Sequence, residues 1–152
     1  MIQRIQSVYL LLVAILSGVA LCLPLGHFHD AANGLEEATF RALGVSAVDG
    51  TGHSTWGLFC ILLLSAIVSF VTIFLFRNRM LQVRMVIFSS LLIVGFYIVF
   101  GLFLYVLSDQ YTHGFSVAVP LCLPMVCLIL HYLAFRAIYR DEVMVRAADR
   151  LR

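Results

Sequence analysis

Charged residues are scarce in this 152-residue chain. They make up 12% of the sequence against 62% hydrophobic residues, and lysine is absent, so that all ten Lys or Arg positions are arginines. The mean hydropathy is +1.03. Soluble domains carry about twice this share of charge. The composition therefore excludes an ordinary soluble domain and predicts a protein embedded in a membrane.

The sequence also lacks the motifs of common enzymes and transporters. In segments predicted to have the required structure, it contains no glycine-rich phosphate-binding loop, no Ser, His and Asp in the order of a catalytic triad, and no His-Glu motif of a zinc-binding helix. The interiors of its long apolar runs contain no Asp, Glu or Arg, whereas an ion path through a membrane normally includes a buried carboxylate or arginine. These absences argue against an ion-coupled transporter or a proton pump, and they leave no catalytic residue to assign.

Four apolar runs are long enough to cross a bilayer. They lie at about 6–24, 56–76, 85–107 and 115–136, and a helix needs about 20 residues to span a core of about 30 Å. Backbone groups in lipid must satisfy their own hydrogen bonds, so each run is predicted as a helix. The short connector 77–84 makes the second and third runs antiparallel. The predicted fold is an all-α membrane protein, an antiparallel four-helix transmembrane bundle, in a single domain 1–152.

Arginines set the predicted orientation of this bundle. Three lie in connector 77–84, and short loops rich in arginine remain on the cytoplasmic side. Both termini are then cytoplasmic and Arg41 is the only arginine outside. Because topology and anionic inner-leaflet lipid explain this asymmetry, the positive charge does not indicate nucleic-acid binding. The predicted inner arginines are Arg4, Arg77, Arg79, Arg84, Arg136, Arg140, Arg146, Arg150 and Arg152.

The first run shares features with a cleaved secretory or lipoprotein signal. Arg4 precedes it and Cys22 lies near its end. Leu21, however, stands where a cleavage site needs a small residue. We therefore expect an uncleaved first span.

The outer loop 25–55 is the largest segment outside the predicted membrane. Turn signals flank a run of β-forming residues at 39–48. This pattern favours a short flap of two or three strands that lies on the outer ends of the helices. A segment of this size cannot bury a core of its own, so the flap must pack against the bundle.

The fourth helix is expected to be kinked near its outer end and to extend beyond the membrane at its inner end. Pro120 and Pro124 predict a kink in its outer half. Residues 137–152 continue the helix into the cytoplasm as an amphipathic tail, which is either a solvated helix end or a surface for the inner leaflet or a partner. The apolar side of this tail comprises Ile138, Val143, Ala147 and Leu151.

Four of the five histidines lie outside the membrane in this topology: His27, His29, His53 and His113. On an extended segment the spacing of His27 and His29 places both rings on one face, and the other two lie close to helix ends. Three or four imidazoles there could bind zinc or copper. Polar loop residues need no ligand, however, and the set lacks the two-plus-two spacing of a strong metal motif. A metal site is therefore the less favoured interpretation.

The four cysteines have two interpretations. Cys22 and Cys60 lie at similar depth near the outer ends of the first and second spans, so an oxidising exterior permits a bridge between them. Cys122 and Cys127 are five residues apart, which is not the Cys-x-x-Cys spacing of redox catalysis. Free cysteines that act as small apolar fillers are favoured.

Polar residues inside the spans predict contacts between helices. His131, the one histidine in a span, lies five residues before the inner boundary at Arg136. We expect it to face the bundle and to hydrogen-bond Thr72, which lies at the same depth in the second span. Two further sets share helical faces and are expected at helix–helix contacts. They are Ser65, Ser69 and Thr72, and Tyr97, Gly101 and Tyr105.

Three motifs together resemble one bacterial family. They are MIQRIQSVYLLL at 1–12, IFLFRNRMLQVR at 73–84 and DEVMVRAADRLR at 141–152. They are similar to the four-span membrane proteins grouped as domain of unknown function 4293. The resemblance covers the whole chain and implies a bacterial inner-membrane protein of this size, with no activity assigned. The layout is also similar to claudin-type proteins, but their Trp and paired-Cys motif is absent from 25–55.

The predicted function is that of a small scaffold or accessory subunit in the bacterial inner membrane, without enzymatic activity or a cofactor. It would contact the lipid bilayer and either other inner-membrane proteins or a second copy of itself. The alternative is an outer-face metal-binding or redox protein. That alternative would use zinc or copper held by His27, His29, His53 and His113.

Overall fold

A computed structural model describes residues 2–29, 36–47, 52–75, 78–108 and 115–150. Within these residues, four helices are long and apolar enough to cross a membrane. They are α1 (Ile2–Cys22), α2 (Trp56–Phe74), α3 (Arg79–Ser108) and α4 (Cys122–Arg150). α3 has 30 residues, a length of about 45 Å against the roughly 30 Å of a bilayer core. This architecture indicates a multi-pass membrane protein.

The helices pack against one another around a shared interior. α1 contacts α2 and α4, and α3 likewise contacts α2 and α4. Buried residues recur at helical spacing, and the remaining faces carry large exposed apolar side chains such as Leu91 and Ile98. On α3 the buried positions are Gln82, Val86, Ser89, Ile93, Phe96 and Phe100.

In the part of the chain that the structure describes, five short strands form an antiparallel sheet at one end of the helices, which we call the sheet end. They are β1 (Pro24–His29), β2 (Glu36–Arg41), β3 (Gly44–Ala47), β4 (Gly52–Ser54) and β5 (Phe115–Val117). Their order in the sheet is β4-β3-β2-β1-β5. The expected flap is thus present but larger than the two or three strands predicted. Residues 24–54 supply four strands, and the segment before α4 supplies a fifth that pairs with β1.

Aromatic contacts join the sheet to the helices. The ring of Phe40 on β2 lies 5.2 Å from that of Phe100 on α3, and the ring of Phe115 on β5 lies 6.1 Å from the same Phe100 ring. Such tilted ring pairs add to the stabilisation from burial alone. These side chains belong to one buried cluster that includes Leu58 of α2. The sheet therefore shares its core with the helices and does not form a core of its own.

The fourth helix begins later than its predicted span, 115–136. Residues Phe115–Val117 form β5 and Val119–Leu121 form a short 3-10 helix, so α4 starts at Cys122. Pro120 lies in the 3-10 helix and Pro124 in the first turn of α4, where a missing N–H removes no helical hydrogen bond. The prolines therefore lie at the start of this helix. The predicted kink required them to lie within it.

α4 continues beyond the predicted span as one helix to Arg150, but its buried side differs from the predicted one. Ile138 is fully buried whereas Val143 is 49% exposed, because five residues turn a helix by about 140°. Asp141 instead shares the buried side, and Gln6 Nε2 of α1 donates a 3.3 Å hydrogen bond to its Oδ2. The start of the tail thus packs on α1. The other two positions of the predicted apolar side lie outside the described side chains.

Candidate functional site

Four buried polar side chains from three helices form a hydrogen-bonded group that we call the polar cluster: Ser65 and Ser69 of α2, Ser89 of α3 and His131 of α4. Each is at most 1% exposed. Ser89 Oγ lies 3.0 Å from Ser65 Oγ and 2.9 Å from Ser69 Oγ. Ser69 Oγ in turn lies 3.1 Å from His131 Nε2. The polar cluster therefore connects α2, α3 and α4 directly.

The histidine end of the polar cluster fixes the direction of its hydrogen bonds. His131 Nδ1 lies 2.8 Å from the Cys127 carbonyl, which can only accept, so Nδ1 carries the proton. In a neutral ring Nε2 then accepts from the Ser69 hydroxyl. Ser69 is left to accept from Ser89, whose single hydrogen is also within reach of the Ser65 carbonyl at 3.3 Å. Ser89 can in turn accept from the Ser65 hydroxyl. One direction thus satisfies the whole group, as buried polar side chains require.

Cys127 links the polar cluster to the remaining helix, α1. Its Sγ lies 3.7 Å from Ser17 Oγ and donates to the Val13 carbonyl at 3.8 Å. Bonds to sulfur are weak, but Ser17 and Cys127 are both buried, so neither has access to water. All four helices are consequently joined through polar contacts in their interior.

The structure confirms that the serines of the predicted α2 set lie between helices, but Thr72 is not the partner of His131. Thr72 Oγ1 donates to the Val68 carbonyl of its own helix at 2.6 Å, as threonines within helices often do. The partner is Ser69, three residues earlier and about 4.5 Å along the helix axis. The prediction assumed that both helices meet the membrane boundary at their flanking arginines, and the observed helices are offset from that alignment.

The second predicted set lies between helices only in part. Tyr97 is half-buried and its hydroxyl donates to the Leu121 carbonyl at 2.8 Å. Gly101 is exposed and Tyr105 is 80% exposed. Two steps of four residues rotate a helix by about 80° beyond whole turns. Residues at this spacing therefore move progressively away from the buried side of α3. The prediction was right for Tyr97 and wrong for the other two.

Ser89 was missed at the level of sequence. It contacts both serines of α2 and is the centre of the polar cluster. The available signal was the pair Ser89-Ser90, the only hydroxyl pair in an otherwise apolar run. The two differ in the fold, because Ser90 Oγ donates to the Ile87 carbonyl of its own helix. Helical spacing of the buried residues on α3 selects Ser89, but that spacing becomes visible only once the helix is placed.

The distance between Ser69 and His131 suits a nucleophile and its general base, yet the surroundings do not suit catalysis. A cavity of about 220 Å³ between α3 and α4 is lined by His131, Ser90, Tyr132 and four apolar residues. None of the three cluster serines lies in its wall. A molecule in this cavity would meet His131 but not Ser69. The hydrogen bonds of the polar cluster join α2, α3 and α4 away from this cavity.

The predicted metal ligands are only partly described. The side chains of His29 and His53, and all of His113, lie outside the described residues. β1, with His27, and β4, with position 53, are three strand spacings apart, about 14 Å at roughly 4.8 Å per spacing. A register irregularity between Phe28 and His29 also interrupts the alternation on which the His27 and His29 pairing relied.

Among the described side chains no group of three or more His, Cys, Asp or Glu is placed to hold a metal. The metal site at His27, His29, His53 and His113 stays a prediction. Metal analysis of the purified protein tests it, since stoichiometric zinc or copper that is lost in His29→Ala would support it.

The four cysteines are free. Cys22 and Cys60 are exposed on the helix surfaces, so the structure contains no bridge between them. Cys122 is also exposed, and only Cys127 is buried. The interpretation as buried apolar filler therefore holds for Cys127 alone, and the other three thiols face outward from the helices.

Comparison with protein families agrees with the resemblance of the three motifs. The model of the family described as domain of unknown function (DUF4293) matches residues 2–151. The chain therefore belongs to this family. No curated protein matches it.

Proposed function

We propose that this member of the DUF4293 family is a small scaffold or accessory subunit of a complex in the bacterial inner membrane. Its four helices form an antiparallel transmembrane bundle within one membrane domain. The polar cluster carries the proposal, because its hydroxyls and its imidazole are used on one another. Because these interior polar groups bond one another, we assign the binding of partners to the outer surfaces of the helices.

The distribution of arginines supports an orientation with both termini in the cytoplasm. Arg84, Arg136 and Arg140 are exposed on the parts of α3 and α4 that lie away from the sheet end, whereas Arg41 lies on the sheet. Cytoplasmic segments carry the excess of arginine in bacterial membrane proteins. The sheet would then face the periplasm.

The exposed side of α3 is the surface that we assign to partner helices. Large apolar residues continue along it from its middle to the sheet end, and Gly101 on the same side permits close approach of another backbone. Lipid alone also satisfies apolar side chains, so exposure does not identify the partner. The residues are Leu91, Ile98, Leu102 and Tyr105.

Site-specific photo-crosslinking in native membranes tests the proposal. A crosslinking side chain at Leu91 or Ile98 should capture a discrete membrane protein, or a second copy of this chain, in a constant ratio. The same side chain at Ile93, which is fully buried on the same helix, is the matched control and should capture only neighbouring helices of its own chain. Adducts with lipid alone at both exposed positions would contradict a scaffold that acts through α3.

A further inference from the structure

We propose that a pocket at the sheet end binds the phosphate of an anionic phospholipid. The pocket lies where the turn between β2 and β3 meets the first residue of α2. It has a volume of about 370 Å³, and its walls include Arg41, Leu43, Ser46, Ser54 and Trp56. This assignment is independent of the scaffold role, because it concerns a different surface and a different class of ligand.

The backbone around the pocket is held in place by one buried residue, Thr55. Its Oγ1 lies 3.1 Å from the Arg41 carbonyl and 3.1 Å from the Ala42 carbonyl, which share its single hydrogen. Its backbone N–H donates to the Leu43 carbonyl at 3.4 Å. Thr55 immediately precedes α2, so these bonds fix the β2–β3 turn against the start of that helix. The pocket is thus formed before any ligand binds.

The pocket combines one positive charge with exposed apolar surface. The guanidinium of Arg41 can donate two parallel hydrogen bonds to phosphate oxygens, and the exposed hydroxyls of Ser46 and Ser54 add further donors. Leu43 is 51% exposed and Trp56 is 64% exposed. Apolar side chains of this size gain nothing from a small hydrated anion. They match the glycerol and upper acyl region that lies directly below a lipid phosphate.

The position of the pocket along α2 also favours a lipid. Trp56 is the first residue of an apolar helix that is long enough to span the bilayer, and tryptophan concentrates at the level of the headgroups. The hydrogen bonds from Thr55 to the carbonyls of Arg41 and Leu43 hold these two residues beside Trp56, at the same level. A phospholipid in the adjoining leaflet therefore presents its phosphate at the height of Arg41 without leaving the bilayer.

Fluorescence quenching in reconstituted vesicles tests the assignment, because Trp56 is the only tryptophan of the chain. The protein is placed in phosphatidylcholine vesicles that contain equal fractions of either brominated phosphatidylglycerol or brominated phosphatidylcholine. Bromine quenches tryptophan on contact. We expect phosphatidylglycerol to bind beside Trp56 about fivefold more tightly than phosphatidylcholine, the factor that corresponds to about 1 kcal/mol for one basic residue at an anionic surface.

Substitutions at Arg41 test whether its guanidinium is the source of the preference for phosphatidylglycerol. Arg41→Gln should remove the preference, and Arg41→Lys should retain most of it, which also shows that the pocket still folds. Arg84→Gln is the control, since it removes the same charge from an exposed position away from the sheet end and should leave the preference unchanged. Both leaflets have the same composition, so the direction of insertion does not affect the result.

Three results would overturn the assignment. The first is equal quenching by the two brominated lipids in the native protein, and the second is a preference that survives Arg41→Gln. The third is relief of the phosphatidylglycerol quenching by millimolar inorganic phosphate, which would show that the pocket takes a soluble phosphate anion and not a lipid.

Discussion

Ser69 Oγ on α2 lies 3.1 Å from His131 Nε2 on α4. The principal contacts of these two helices are with α1 and α3, so the bond crosses the interior between helices that are not adjacent. His131 is the only histidine of the chain within an apolar run. A buried imidazole therefore joins two opposite helices directly.

A double-mutant cycle measures this contact. Ser69→Ala and His131→Leu should be coupled by about 0.6 kcal/mol and by no more than about 1.7 kcal/mol, the range found for hydrogen bonds between membrane helices. The free energy of unfolding in mixed micelles is the quantity to compare. Thr72→Val with His131→Leu is the control pair and should show no coupling, because Thr72 bonds its own helix. Larger coupling for Thr72 than for Ser69 would show that the helices are aligned differently.

Adjacent serines on α3 should differ sharply in their tolerance of a large side chain. Ser89 is fully buried and contacts two serines of α2, so Ser89→Leu overpacks the interior and should lower the free energy of unfolding by about 1–3 kcal/mol. Ser90→Leu places the same side chain beside the cavity between α3 and α4 and should change stability by less than about 0.5 kcal/mol. Equal losses for both variants would contradict the orientation of α3.

The contact between the two segments of the sheet should be sensitive to a single methyl group. A Cβ on Gly26 would collide with the Phe115 ring and lie 3.0 Å from the Ser116 carbonyl oxygen. Gly26→Ala must therefore displace β5 or the ring and should lower the free energy of unfolding by about 1–3 kcal/mol. At Gly101 a Cβ has no neighbour within 4 Å, so Gly101→Ala should be neutral or slightly stabilising. A stable Gly26→Ala protein would argue against the pairing of β1 with β5.

The helices could be predicted from sequence because length and hydropathy suffice to identify a span. Helix faces could be predicted where polar residues stand three or four apart in an apolar run, as at Ser65 and Ser69. The hydrogen-bond partner of His131 could not be predicted, because the axial offset between two packed helices depends on side chains from all four helices. The fifth strand could not be predicted either, because Phe115–Val117 has the sequence pattern of the apolar start of a span. Its pairing with β1 depends on the folded arrangement of the helices, which brings the two segments together.

The proposed orientation predicts opposite accessibility at the two ends of the helices. In a variant whose native cysteines are replaced, a cysteine at Asn78, which is exposed just before α3, should be unreactive towards an impermeant thiol reagent in intact cells. A cysteine at Ser46, exposed on β3, should react. Both should react after the membrane is opened. Efficient labelling at Asn78 and none at Ser46 would reverse the proposed topology.

We infer that the polar interior holds the helices together and carries out no chemistry. Complementation of a deletion strain by His131→Gln tests this inference, with the amount of protein in the membrane measured in parallel. Glutamine offers a donor and an acceptor but no titrating group, so we expect a normal amount of protein and full rescue of the deletion phenotype. A normal amount of protein with no rescue would overturn the inference, because it would show that the imidazole itself is required.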